Sequence, residues 1–109
     1  HLVKLDKDAS GRHYGVFVES KLVSCISLFI KGDSAQFRKL ATLQEYQRKG
    51  YASALIEHVF AVCLQNKVRR IWCNARQDKT HFYESFGLIK TNKSFSKEGV
   101  SYVVMERVL

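Results

Sequence analysis

The stretch Gln47-Arg48-Lys49-Gly50-Tyr51-Ala52-Ser53 (QRKGYAS) decides how this chain is read, because the hydrophobic period changes across it. Before it, residues 36–43 (QFRKLATL) alternate as a strand does. Phe37, Lys39, Ala41 and Leu43 share one face, and Arg38, Leu40 and Thr42 share the other. After it, residues 52–66 (ASALIEHVFAVCLQN) space Leu55, Ile56, Val59, Phe60 and Cys63 by helical steps, which makes one apolar helix face. A glycine between strand and helix permits close backbone approach or a positive φ. The first helical turn leaves amides without intrahelical partners. A pyrophosphate accepts such hydrogen bonds, and the positive end of the helix dipole adds to the attraction. Arg48 and Lys49 bring further charge. Taken alone, one glycine among basic residues fits a solvated loop and helix start equally well. The segment is neither a Walker A loop, GxxxxGK[ST], nor the dinucleotide fingerprint GxGxxG.

Working outward, residues 13–18 (HYGVFV) and 22–30 (LVSCISLFI) flank a short polar break and read as an antiparallel hairpin. Residues 31–35 (KGDSA) supply the turn into the strand at 36–43. Beyond the helix, where Lys67 and Arg69 suit the negative end of the dipole, residues 70–75 (RIWCNA) form a compact apolar run that predicts an interior strand, with Trp72 in the core. A shorter helix is expected over 78–86 (DKTHFYESF), capped by Asp78 and ended by Gly87 in the left-handed conformation. Two last strands are expected around 88–95 and 100–108. The order is β-β-β-α-β-α-β-β, an α/β domain with a mixed, mostly antiparallel sheet and flanking helices, and a single domain over 1–109. Leu2, Val3 and Leu5 alternate only in part, and residues 6–11 (DKDASG) read as loop.

Composition bounds the partners. Of 109 residues, 46% are hydrophobic and 26% charged, which excludes overall disorder. No apolar run approaches the roughly 20 residues that span a bilayer, and no signal-peptide pattern opens the chain. Cys25, Cys63 and Cys73 have no metal-site spacing, so they read as buried thiols of a cytoplasmic protein and no metal site is expected. Eighteen Lys and Arg against ten Asp and Glu give +8, which asks for an anionic partner. Nucleic acid, an anionic membrane or a phosphate-rich cofactor would each satisfy it. The aromatic residues follow core patterns rather than an exposed basic face, so neither a nucleic-acid nor a membrane partner is expected.

Two segments together carry a resemblance. Gln47 to Ala52 (QRKGYA) is similar to the [QR]xxGx[GA] acyl-CoA signature of the GNAT acetyltransferase superfamily, and Phe82 to Leu88 (FYESFGL) is similar to its second signature, FYxxxGF. Asn74-Ala75-Arg76 resembles a small-domain bacterial subgroup. The likeness runs over about residues 13–109. Ala52 is an allowed alternative to the second glycine and Leu88 replaces the final phenylalanine, while the family's N-terminal strand and two helices have no evident counterpart.

The resemblance implies an acyl-CoA N-acyltransferase fold and an acetyl-CoA cosubstrate, with the pyrophosphate cradled by the main chain of Arg48, Lys49, Gly50, Tyr51, Ala52 and Ser53 and with Gln47 at the edge. Ala41, Thr42 and Leu43 would offer backbone groups to the thioester and pantetheine. Tyr83 falls where the family places a tyrosine near the thioester sulfur. A phenol, neutral at ordinary pH, suits protonation of a leaving thiolate. An amide near Thr42 or Leu43 would meet the developing oxyanion. Glu19, Glu45, Glu57, His58 and His81 are open candidates for the base, and Cys73 for a covalent route. The expected reaction is acetyl transfer to a primary amine of a small molecule or protein, by direct attack on the thioester. A non-catalytic CoA-binding or regulatory module is the alternative, and monomer or homodimer stays open.

Overall fold

The computed structural model describes residues 2–5 and 11–109. Seven strands form one sheet in the order β1-β2-β3-β4-β5-β7-β6. They are β1 (Leu2–Lys4), β2 (Arg12–Val18), β3 (Lys21–Lys31), β4 (Ser34–Thr42), β5 (Arg70–Arg76), β6 (Ile89–Lys97) and β7 (Val100–Val108). Helix α1 (Tyr51–Gln65) joins β4 to β5, and α2 (Thr80–Glu84) joins β5 to β6. Every strand pair is antiparallel except β4 with β5, whose parallel pairing requires the α1 crossover.

Pleat and burial define two sheet faces. On β5, Ile71, Cys73 and Ala75 are buried beneath the helices, with Leu55, Ile56, Val59 and Cys63 of α1 in the same core. Phe82, Tyr83 and Phe86 pack against that core too. The Arg107 guanidinium lies 5.1 Å from the Phe60 ring and donates to the Phe86 carbonyl at 3.0 Å, so α1 and the α2 segment cover one face. Val62, rather than Phe60, completes the fully buried stripe of α1.

Four sequence expectations are corrected. Leu2–Lys4 is a strand, paired with Tyr14 to Val16; three residues are too few to show a period. The loop expected over 6–11 lies, Gly11 apart, outside the described residues. The second helix is a 3-10 turn (Gln77–Lys79) followed by five helical residues, and Asp78 caps nothing, lying 3.8 Å from Arg76 instead. Trp72 is not in the core. It alternates with Ile71 and Cys73, so it stands half-buried on the opposite face with the Arg70 guanidinium 5.6 Å from its ring. Gly87 does end the α2 segment at φ +85°.

The alternation expected on β4 also breaks. Cys25 pairs with Ala41 and Ser27 with Arg38, so two steps on β3 match three on β4. Lys39, at φ +58°, is the extra residue of this bulge. Leu40 consequently packs towards the same core as Phe37.

Leu55 is fully buried and Leu64, on the same helix, is 61% exposed. Leu55→Ala is expected to lower unfolding free energy by about 2–5 kcal/mol and Leu64→Ala by less than about 0.5 kcal/mol, both read by urea denaturation.

Candidate functional site

The pairing of β4 with β5 stops after Ser34, Ala35 and Gln36, opposite Arg70, Ile71 and Trp72. From Phe37 onwards the two strands part, and a cleft of about 950 Å³ occupies the gap. Backbone groups of β4 that face this side have no strand to bond.

At the end of β4 the chain turns through a 3-10 turn (Gln44–Tyr46) into α1. The Gln47 side chain donates to the Thr42 carbonyl at 3.1 Å and holds the loop against the strand end. Arg48 at φ +63° and Gly50 at φ +88° turn the chain into the helix. A Cβ on Gly50 would meet no atom within 4 Å, so the space before the helix is open. No side chain caps α1, and its first backbone bond runs from the Ala54 amide to the Gly50 carbonyl. The amides of Tyr51, Ala52 and Ser53 therefore stand at the cleft with the positive end of the dipole behind them.

The structure brings Ala41, Thr42, Gln47, Arg48, Gly50, Tyr51, Ala52, Ser53 and Tyr83 to this one cleft. Leu43 and Lys49 do not line it. The Leu43 amide is spent on the Val23 carbonyl at 2.9 Å, so it is no oxyanion donor. The Lys49 ammonium lies 5.5 Å from the Tyr46 ring, where it flanks the loop.

No residue considered as a base lines the cleft. Glu19 sits in the β2–β3 turn and Glu45 and Glu57 are exposed. His58 packs edge-on against Tyr14 at 4.7 Å, and His81 is exposed beside Glu84 at 3.5 Å. Arg38, Arg76, Lys79 and Tyr102, none of them in either sequence signature, also line it. For Arg76 the signal was present, since it alternates with the apolar Ile71, Cys73 and Ala75.

Tyr83 forms part of the floor, 5.9 Å from the Phe37 ring and 5.3 Å from Phe82. Burial pushes its phenol up from 10.0 to about 12, and the adjacent Cys73 thiol adds to the rise. Burial likewise raises Cys73 to about 12 and Cys63 to about 11. The phenol and both thiols thus hold their protons at neutral pH, which disfavours Cys73 as a nucleophile.

The QRKGYA segment lies between strand β4 and helix α1, the strand-to-helix position expected of it. The family model for the acetyltransferase (GNAT) domain matches residues 4–109. The chain belongs to this GNAT family. Its fold is shared with a GNAT family acetyltransferase from Elizabethkingia anophelis with acetyl-CoA bound, at TM-score 0.78 and 13% identity over 92% of this chain and 77% of that one. The ribosomal-protein-S18-alanine N-acetyltransferase from Escherichia coli superposes at 0.80 with 20% identity over 94% and 71%. An acyl-CoA N-acyltransferase from Pseudomonas aeruginosa superposes at 0.80 with 11% identity over 89% and 68%. Identities this low speak for the fold alone. Among the described residues of this GNAT domain, no helix is long and apolar enough to cross a membrane.

Because the Tyr83 phenol is raised, it stabilises the fold fully below about pH 10, and that contribution is lost as pH rises towards 12. Absorbance titration is expected to show a tyrosine component near pH 12 that is lost in Tyr83→Phe; identical titrations of the two proteins at that pH would contradict the burial argument.

Proposed function

We propose that this GNAT domain transfers an acetyl group from acetyl-CoA to a primary amine by direct attack, with no covalent enzyme intermediate. The observation that carries the reading is the meeting, in one cleft, of the parted edge of β4, the uncapped α1 terminus and Tyr83. The residues present suit a pyrophosphate: the amides of Tyr51, Ala52 and Ser53 are uncapped, Gly50 leaves open space, and Arg48 lies beside them. The similar fold of the Elizabethkingia anophelis acetyltransferase, which holds acetyl-CoA, supports the same reading.

Bound acetyl-CoA supplies an acetyl group already activated as a thioester, so this chain's residues need only bind, orient and manage protons. The β4 edge from Phe37 to Thr42 offers backbone groups to an amide-bearing ligand lying along it. Tyr83, with its proton held by burial, donates it to the departing sulfur. The rings of Phe37 and Phe82 pack against the Tyr83 ring at 5.9 and 5.3 Å. Among the described residues no carboxylate or imidazole lines the cleft, so the acceptor amine gives up its proton to solvent. That same lack supports the second reading, a CoA-binding module without turnover.

Calorimetric titration with acetyl-CoA separates these readings. Saturable binding is expected, with at least about a tenfold loss in Gly50→Trp, whose φ and added bulk oppose the cradle; circular dichroism checks that the variant folds. Tyr83→Phe is expected to keep binding and lose about 10²-fold or more in kcat. Binding without acetylation of any amine would favour the non-catalytic module, and no binding by folded protein would overturn both.

A further inference from the structure

We infer that the amine acceptor carries an anionic group, a carboxylate or a phosphate ester, held by the Arg38 guanidinium; the inference rests on the acetyltransferase reading above. Register assigns the two sides of the cleft. Ala35 and Ile71 are paired and buried under the helices, so their neighbours Gln36 and Trp72, also paired, stand on the opposite face. Two residues further along each strand come Arg38 and Asn74, and then Arg76 on β5. The pleat puts all three on that helix-free face, since the β4 bulge begins only at Lys39. Tyr102, paired with Arg76, joins them with its ring stacked on Phe95 at 5.1 Å. The α1 terminus and Tyr83 belong to the helix-covered side. One cleft therefore has a pyrophosphate-type cradle on one side of the sheet and a separate arginine on the other.

Arg38 is built to bind. Its Nε donates at 2.9 Å to the side-chain oxygen of Gln36, which is 7% exposed. Its guanidinium lies 4.7 Å from the Phe29 ring. Those two contacts fix the plane of the fork and leave the Nη donors for a ligand. Among the described residues no carboxylate forms an ion pair with Arg38, Lys39 or Lys79, and the contact of Arg76 with Asp78 is a 3.8 Å exposed pair. Among the described residues the cleft lining holds five cationic side chains and no acidic one. A ligand bearing only a protonated amine is repelled there, whereas one that also bears an oxyanion meets a preorganised, bidentate partner.

The test uses amines of one length that differ at the far end: γ-aminobutyrate, n-butylamine and 1,4-diaminobutane, with O-phosphoethanolamine against ethanolamine as a second pair. Acetyl-CoA binding is first measured on the same sample, then thiol release for each amine, then calorimetry of γ-aminobutyrate and n-butylamine on CoA-loaded protein. Expected is a kcat/KM for γ-aminobutyrate at least about tenfold above n-butylamine, with the diamine lowest. The larger gain of the two pairs tells carboxylate from phosphate. Arg38→Gln is expected to erase the preference through KM while acetyl-CoA affinity holds, and Arg38→Lys to restore part of it. A flat series, a preference that survives Arg38→Gln, or neither turnover nor binding of either anionic amine by protein that binds acetyl-CoA overturns the inference alone. Failure to bind acetyl-CoA removes the acetyltransferase reading and this inference with it.

Discussion

Strands β4 and β5 pair along three residues and then separate, and the rest of the molecule is arranged around that separation. A parallel pair cannot be closed by a tight turn, so the chain must leave the end of β4, cross over as α1 and return as β5. That crossover starts its helix at the carboxyl end of β4, beside the gap. In open α/β sheets such a gap is where ligands bind. The bulge at Lys39 contributes to the opening, because one extra residue bends β4 where its pairing with β5 has stopped. The backbone amides of Arg69 and Arg70 donate to the Asp33 carbonyl at 2.6 and 3.2 Å and pin the closed end. One end of the strand pair is fastened and the other is held apart.

The parts of this design legible in the sequence are those with a period or a special residue. Helix α1 announced itself through Leu55, Ile56, Val59 and Cys63, and the loop before it through Gly50, whose positive φ few other residues tolerate. Gly87 likewise marked the end of the α2 segment. The bulge was hidden because Lys39 carries no compositional sign of its left-handed backbone. Leu2–Lys4 was too short to read. Trp72 is misleading for a different reason: its apolar bulk suggests the core, whereas alternation with the buried Ile71, Cys73 and Ala75 places it on the other side of β5. The same alternation carries Arg76 to the cleft. Residues in turns have no such rule, so neither Glu45 nor Glu19 had a spatial address before the fold was known.

The two faces of the sheet divide the physical character of the cleft. Towards the helices its floor is aromatic and sulfur-bearing, with Phe37, Phe82, Tyr83 and Cys73. Its rim carries Arg38, Lys39, Arg48, Arg76 and Lys79. Charge on a ligand is therefore met at the periphery, where guanidinium and ammonium groups stay in contact with water. A ligand reaching inward from the rim would lie against low-polarity side chains. Electrostatic attraction at the rim draws an anion in from solvent, and its strength falls with added salt.

The floor adds its own constraint through protonation. Burial raises both the Tyr83 phenol and the Cys73 thiol, and the proximity of the two sites raises Tyr83 further, because a thiolate and a phenolate so close would repel. The pair therefore stays neutral across the range where amines become nucleophilic. A neutral phenol at the base of a cationic cleft is a donor that the surrounding field does not ionise, since desolvation outweighs the rim's attraction for an anion. It would surrender its proton only to a group more basic than itself or to one whose negative charge develops beside it. On the proposed reading a departing thiolate is such a group, and its charge appears where water is scarce and the phenol is already in place. On the same reading an acceptor amine finds no carboxylate or imidazole in the cleft among the described residues, and the wet, charged rim is its way in. On that reading the dry floor would serve proton donation and the cationic rim proton loss, in different parts of one cleft.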